Sequence, residues 1–189
     1  MSSAITNERF EDLPLDEQVR QRIAIAIWDM QERIPIGSLF IALYIRGNPP
    51  KKDDFHWVFY LHQEEHAGTK YHDTSSPKRW MARHRRRGYI LNDFLLCVLI
   101  AIGKVLPGKF EDLERIMDSH NQAWNSIPGL SCRVWIWMVM QDLIKEEVVW
   151  SSGTIYELEA ECLAFGNQYS EGASRNEQPR PVVVSASYM

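Results

Sequence analysis

The spacing of apolar residues divides the chain into a strand-rich first half and a helical second half. Residues 15–33 place apolar side chains at helical spacing, which predicts an amphipathic helix that ends before Pro35. Short runs of β-forming residues follow, and Gly and Pro at 47–50 end the first of them. Three strands are expected, at residues 38–46, 55–62 and 69–74. Together they predict a small antiparallel β-meander.

Helical patterns dominate from Asn92 onward. Four helices are expected, at residues 93–105, 110–124, 132–148 and 155–169. Residues 171–189 are small and polar without a period, which is typical of a flexible tail. The sequence therefore predicts one globular α+β domain over residues 1–170, with the helices packed on one face of the meander, and a flexible C-terminal tail at 171–189.

Composition fits a single soluble domain: of 189 residues, 45% are apolar and 24% are charged. The longest apolar run, at 94–102, is far short of the roughly 20 residues of a membrane-spanning helix, so no membrane partner is expected. The N-terminus has no basic start and no apolar core, so no secretory signal is expected. Cys97, Cys132 and Cys162 share no close spacing, which favours free thiols in a reducing, cytoplasmic compartment.

Charge is distributed unevenly along the chain. The net charge is −4, yet residues 78–87 carry six positive charges and no acidic residue. One basic segment in an acidic protein does not provide the broad positive face of a nucleic-acid binder, so no nucleic-acid partner is expected. The segment is interpreted as a solvated loop, an anion site or a nuclear address. As an anion site it would attract an acidic substrate through residues such as Arg83 and Arg85.

Two histidines are candidates for a shared position on the sheet. In the second strand His56 and Tyr60 point to one face, whereas Trp57 points to the other. If residues 63–68 form the hairpin connection, pairing Tyr60 with Gly68 sets His56 opposite His72. Two imidazoles would then lie side by side.

Cys132 is the candidate nucleophile. Pro128 and Gly129 break the chain, Ser131 is a good N-cap, and Cys132 then occupies the first position of an apolar helix. The positive end of the helix dipole stabilises thiolate over thiol there, and a backbone N–H of the same turn can stabilise an oxyanion. By contrast, Cys97 and Cys162 fall inside apolar patterns and are predicted to pack in the core.

These residues supply a nucleophile in Cys132, a base in His56 and an orienting group in His72. Two alternatives remain open: structural roles for all three, or metal binding through a set of histidines. That set is His56, His62, His66 and His72. No Asp or Glu repeats at ligand spacing and no nucleotide-binding motif is present, so neither a metal nor a cofactor is expected.

Several short motifs support a resemblance. They are Ala42-Leu43-Tyr44, the Pro49-Pro50 break, Phe55-His56-Trp57-Val58, Gly68-Thr69-Lys70-Tyr71-His72, Trp80 and Cys132-Arg133-Val134-Trp135. In this order, over roughly residues 38–150, the chain resembles an uncharacterised family of small fungal proteins. The order is also similar to the circularly permuted papain-like fold of lecithin retinol acyltransferase-like thiol enzymes. That similarity implies the same fold, with His56 as base, His72 as orienting residue and Cys132 as nucleophile.

The leading hypothesis is a cysteine-dependent hydrolase or acyl transferase that acts on an amide, ester or thioester of a small-molecule or peptide substrate. Trp57, Tyr60, Arg83 and Arg85 are the expected substrate-binding residues. One alternative is a cofactor-independent acid–base enzyme of fungal specialised metabolism, such as a cyclase, isomerase or dehydratase. Another is a non-catalytic interaction module. The sequence sets no oligomeric state.

Overall fold

The computed structural model describes residues 11, 13–76, 79–82, 84–121, 127 and 129–187, with the backbone alone at 73–76, 79–82 and 121. Its elements are α1 (Leu15–Glu32), β1 (Ser38–Ile45), β2 (Phe55–Glu64), β3 (Ala67–Tyr71), β4 (Asp73–Ser76), β5 (Arg79–Ala82), β6 (Arg85–Gly88), β7 (Leu96–Lys104), α2 (Phe110–Asn121), α3 (Cys132–Lys145), α4 (Ile155–Ser174) and β8 (Val182–Val184). None of the helices in this described part is long and apolar enough to cross a membrane.

Six strands form the main sheet, in the order β6-β3-β2-β1-β7-β8. Neighbouring strands are antiparallel except β8, which runs parallel to β7. A separate two-stranded sheet pairs β4 with β5. This mixture of a mostly antiparallel sheet with helices packed on it confirms the predicted α+β class.

The two faces of the sheet support two hydrophobic clusters because side chains alternate along each strand. Leu43, Trp57 and Phe59 belong to the larger cluster, which also contains residues of α2, α3 and α4. Val58 and Tyr60 point the other way, into a smaller cluster that α1 covers with Ile27 and its neighbours. Helices α2 to α4 therefore share one face, whereas α1 lies on the opposite face, so the predicted packing on one face holds for α2 to α4 alone among the described helices.

The prediction of a helix at 93–105 is wrong, because Leu96–Lys104 forms strand β7. This strand lies between β1 and β8 and is buried on both faces. A strand of this kind is a continuous apolar run, which periodicity alone does not distinguish from a buried helix.

Two parts of the predicted tail belong to regular elements, one to α4 and one to the sheet. Where the sequence predicts a flexible tail from residue 171, α4 continues to Ser174 and Val182–Val184 pairs with β7. Between them the Arg180 side chain is only 1% exposed and donates to the carbonyl of Glu177 and to the side chain of Asn176. This segment closes one edge of the sheet.

Candidate functional site

Cys132 opens α3, as the sequence predicts. Gly129 turns the chain with a φ of 76°, and Ser131 caps the helix by accepting a hydrogen bond of 3.2 Å from the backbone N–H of Val134. The thiol therefore lies at the positive end of the helix. Cys132 is only 2% exposed.

Arg46 is the charged neighbour of the sulfur. Its Nη2 atom donates to Sγ of Cys132 across 3.0 Å, and its Nε atom is 3.6 Å from Oδ1 of Asp54. A guanidinium and a helix N-terminus both favour the thiolate form of a cysteine. Sequence reasoning missed Arg46 because it lies 86 residues from Cys132. The available signal was its position directly after β1, whose partner strand begins at Phe55.

A small cleft adjoins Cys132. It holds about 190 Å³ and contains two arginines, two aspartates and two aromatic residues besides Ser131 and Cys132. These six are Arg46, Asp53, Asp54, Phe55, Trp57 and Arg133. We call this space the Cys132 cleft. Trp57, an expected substrate-binding residue, therefore lines the same cavity as the candidate nucleophile.

The structure brings His56 and His72 together. Their ring centroids are 5.9 Å apart with the rings nearly perpendicular. The predicted register is nevertheless wrong by two residues, since Tyr60 pairs with Lys70 rather than with Gly68. A shift of two residues keeps every side chain on its face, so the two imidazoles still meet.

The sheet separates Cys132 from this histidine pair. Cys132 belongs to the cluster of Trp57 and the helices α2 to α4, whereas the ring of His56 faces Tyr44 in the opposite cluster. The described polar contacts of the sulfur are to Arg46 and, at 4.0 Å, to the carbonyl of Phe55. Consecutive strand residues point to opposite faces, so the backbone of Phe55 reaches the sulfur while the next side chain turns away. The expected base and orienting roles are not assembled around Cys132.

His56 lies in a basic environment. Burial, followed by the nearby charges of His72, Arg46 and Lys70, lowers its pKa from 6.5 to about 4. The imidazole is therefore neutral at pH 7.

Asp93 organises a polar cluster on the same face. It is 5% exposed and accepts hydrogen bonds from the Tyr44 hydroxyl at 2.9 Å, Lys70 Nζ at 2.7 Å and Arg87 Nε at 2.7 Å. Burial alone would raise the pKa of Asp93, but these three donors hold it below its usual range. Sequence reasoning missed this cluster because Tyr44, Lys70 and Asp93 come from three separate segments.

The remaining expected substrate-binding residues do not join the Cys132 cleft. Tyr60 is fully buried on the α1 face, with its hydroxyl 3.0 Å from Nδ1 of His62. Arg85 is exposed on β6, opposite Lys70. Arg83 lies outside the described residues.

A known protein family covers both polar sites. DUF6914, described as a family of unknown function, matches residues 37–175. The chain belongs to the DUF6914 family. No curated protein and no solved structure matches the chain. The DUF6914 range runs from just before β1 to the end of α4, so it contains every residue of the Cys132 cleft and the whole histidine pair.

Proposed function

We propose that the protein is a cysteine-dependent acyl transferase or hydrolase in which Arg46 and the N-terminus of α3 prepare the Cys132 thiolate. The observation that carries this proposal is the 3.0 Å contact between Arg46 and the sulfur within an open cleft. A thiolate held by a permanent cation needs no imidazole to remove its proton. The proposal thus keeps Cys132 as the nucleophile. Arg46, instead of His56, is the residue that keeps the sulfur in its thiolate form.

The reaction follows from these groups. The sulfur attacks the carbonyl carbon of the substrate, and the carbonyl π electrons move to the oxygen. Backbone N–H groups in the first turn of α3 donate to that oxyanion. When the carbonyl re-forms, the bond to the leaving group breaks and the leaving group departs with the electron pair. Water or a second nucleophile then attacks the carbonyl carbon of the acyl-enzyme and gives its proton to solvent water. The bond between carbon and sulfur breaks, and the electron pair returns to the Cys132 thiolate.

The absence of an imidazole from the described contacts of the sulfur narrows the substrate class. An amide nitrogen must be protonated before it leaves, and a general acid normally supplies that proton. A thiolate or an activated alkoxide leaves without protonation. Thioesters and activated esters therefore suit this site better than amides.

Cleft size and charge restrict the acyl group further. A volume of about 190 Å³ is below the range of roughly 300–1,000 Å³ that holds a drug-sized ligand. Arg46 and Arg133 are balanced by Asp53 and Asp54, so the lining does not select one sign of charge. The site is suited to a short acyl group.

A second candidate function follows from the opposite face. His56 is neutral at pH 7 and lies 5.9 Å from His72, with Lys70 nearby on the same side of the sheet. Such groups suit a cofactor-independent acid–base enzyme, such as an isomerase or dehydratase. A catalytic activity that survives treatment with iodoacetamide but is lost in His56→Ala would favour this candidate.

Alkylation of Cys132 by iodoacetamide, measured by mass spectrometry across pH, tests the first candidate. In the native chain we expect Cys132 to be alkylated readily at neutral pH. Arg46→Met keeps the length of the side chain but removes its charge, so we expect alkylation at that pH to slow about tenfold. The same dependence of alkylation rate on pH in both proteins would refute the proposal.

The other two cysteines are internal controls in the same digest. Burial raises the pKa of Cys97 to about 12 and raises the pKa of Cys162 well above its usual value. Both are fully buried and should stay unmodified while Cys132 reacts. Equal labelling of all three would indicate unfolding rather than a reactive site.

A further inference from the structure

Three potential metal ligands converge at one end of the sheet. Glu32 is the last residue of α1, and Glu65 and His66 form the turn between β2 and β3. One ligand atom from each lies within 4.8 Å of the other two. We call these three residues the Glu32 cluster.

This spacing is close to that of a metal centre. Metal–ligand bonds of about 2.0–2.2 Å put any two ligand atoms of one ion roughly 3–4.4 Å apart. The side chains of Glu32 and Glu65 are exposed, so rotation about their side-chain bonds can shorten the distances between the ligand atoms by a few tenths of an ångström. The three atoms can therefore meet one ion without movement of the backbone.

The imidazole of His66 is held in place by two aromatic rings. Its centroid is 4.0 Å from that of Trp28 and 5.4 Å from that of Tyr89, and the Tyr89 ring is nearly parallel to it. The Nδ1 atom of His66 is buried and has no hydrogen-bond partner among the described residues. Buried polar atoms are nearly always paired, so this nitrogen is available to a partner other than the described protein groups.

The two carboxylates also lack a counter-charge. Neither Glu32 nor Glu65 forms an ion pair with any lysine or arginine in the described part of the chain, whereas neighbouring Glu64 pairs with Arg86. Two negative charges this close repel each other, and a divalent cation between them would reverse the sign of the interaction.

We propose that Glu32, Glu65 and His66 bind a zinc-like divalent transition-metal ion, with water in the remaining coordination positions. One imidazole nitrogen and two carboxylate oxygens form a mixed ligand set of the kind that zinc accepts. An imidazole ligand disfavours Mg²⁺ and Ca²⁺. The bound ion would join the end of α1 to the β2–β3 turn.

This metal site is independent of the proposed thiol chemistry. The Glu32 cluster adjoins the end of β2, and the Cys132 cleft adjoins its beginning at Phe55. A strand of ten residues separates the two ends by about 30 Å. Either proposal can therefore fail without the other.

Calorimetric titration of ZnCl₂ into the full-length, chelator-treated chain tests the inference. We expect one saturable site per chain and an affinity at least about tenfold lower in the double variant Glu32→Gln/Glu65→Gln. Both side chains are exposed, so this variant should fold normally. Glu64→Gln, which removes a carboxylate outside the cluster, is the matched control and should bind zinc like the native chain.

Two further results complete the test. His66→Ala should weaken zinc binding to the same extent, and excess MgCl₂ should not displace the zinc. Absence of saturable binding in the native chain would overturn the proposal. Undiminished affinity in the double glutamate variant would do so too, because the zinc would then be held elsewhere.

Discussion

The guanidinium of Arg46 donates to the sulfur of Cys132 across 3.0 Å, although 86 residues separate the two in the chain. The contact arises because β1 ends beside the start of β2, and α3 packs on β2 with its N-terminus at that end. Three elements must be in place before the thiol meets its cation. The contact between Arg46 and Cys132 is therefore a property of the folded chain rather than of its local sequence.

Replacing His56 should leave the reactivity of Cys132 intact. The imidazole lies on the far face of the sheet, so Cys132 should be alkylated at neutral pH at the native rate in His56→Ala but more slowly in Arg46→Met. Mass spectrometry of iodoacetamide-treated protein measures both. Loss of reactivity in His56→Ala would restore histidine as the base and contradict the assigned role of Arg46.

The sequence predicted those parts of the site that depend on local rules. The cap at Ser131 and the position of Cys132 follow from helix-start signals, and both are confirmed. The shared face of His56 and His72 follows from strand alternation, which a shift of two residues preserves. The separation of Cys132 from His56 could not be predicted, because it depends on which face of the sheet α3 packs against. Strand alternation alone does not specify that face.

Contacts between distant segments could not be predicted from the sequence. Glu32 and His66 meet only because α1 lies across the smaller cluster, and no ligand spacing in the chain indicates this. The strand at Leu96–Lys104 was predicted as a helix because a fully buried run has no polar face to reveal its period. Both failures have the same cause: the contact and the strand depend on how other elements pack around a segment. The sequence of that segment alone does not specify this packing.

Asp93→Asn should destabilise the protein by about 3 kcal/mol, since it leaves the partly buried Lys70 and its neighbour Arg87 without their counter-charge. Urea unfolding at pH 7 measures this loss. Because the folded pKa of Asp93 is depressed, its contribution is present above the unfolded value and lost as pH falls through the folded value. Asp112→Asn, which removes a carboxylate from a more exposed ion pair with Arg115, is the control, and an equal loss there would contradict the role of Asp93.

His56 should make stability depend on pH in the mildly acidic range. Its pKa is about 4 when folded and 6.5 when unfolded, so the unfolded chain takes up the proton first and stability falls as pH drops from 6.5 towards 4. Allowing for partial exposure, we expect a loss of about 1 kcal/mol between pH 7 and pH 5. Urea unfolding of His56→Gln should lack this part of the loss. Identical pH profiles would place His56 in a solvated environment, away from His72, Arg46 and Lys70.

Gly166→Ala should destabilise the core beneath the Cys132 cleft by about 1–3 kcal/mol. An added Cβ would lie 2.7 Å from the Phe55 ring and 3.0 Å from the Leu43 side chain. Gly108→Ala is the matched control, because a Cβ there meets no atom within 4 Å. Urea unfolding should separate the two variants. Similar free energies of unfolding would mean that α4 does not pack this closely on the sheet.

A thioester should acylate Cys132 where the corresponding amide does not. The two substrates share an acyl group and differ in whether the leaving atom must be protonated, and the described contacts of the sulfur include no imidazole to supply that proton. Incubation with an acetyl thioester, followed by mass spectrometry, should find the acetyl group on Cys132 in the native chain and much less of it in Arg46→Met. Cys132→Ser should carry none. Equal acylation from an N-acetyl amide would require a general acid in the cleft and would make Asp53 or Asp54 the next residue to replace.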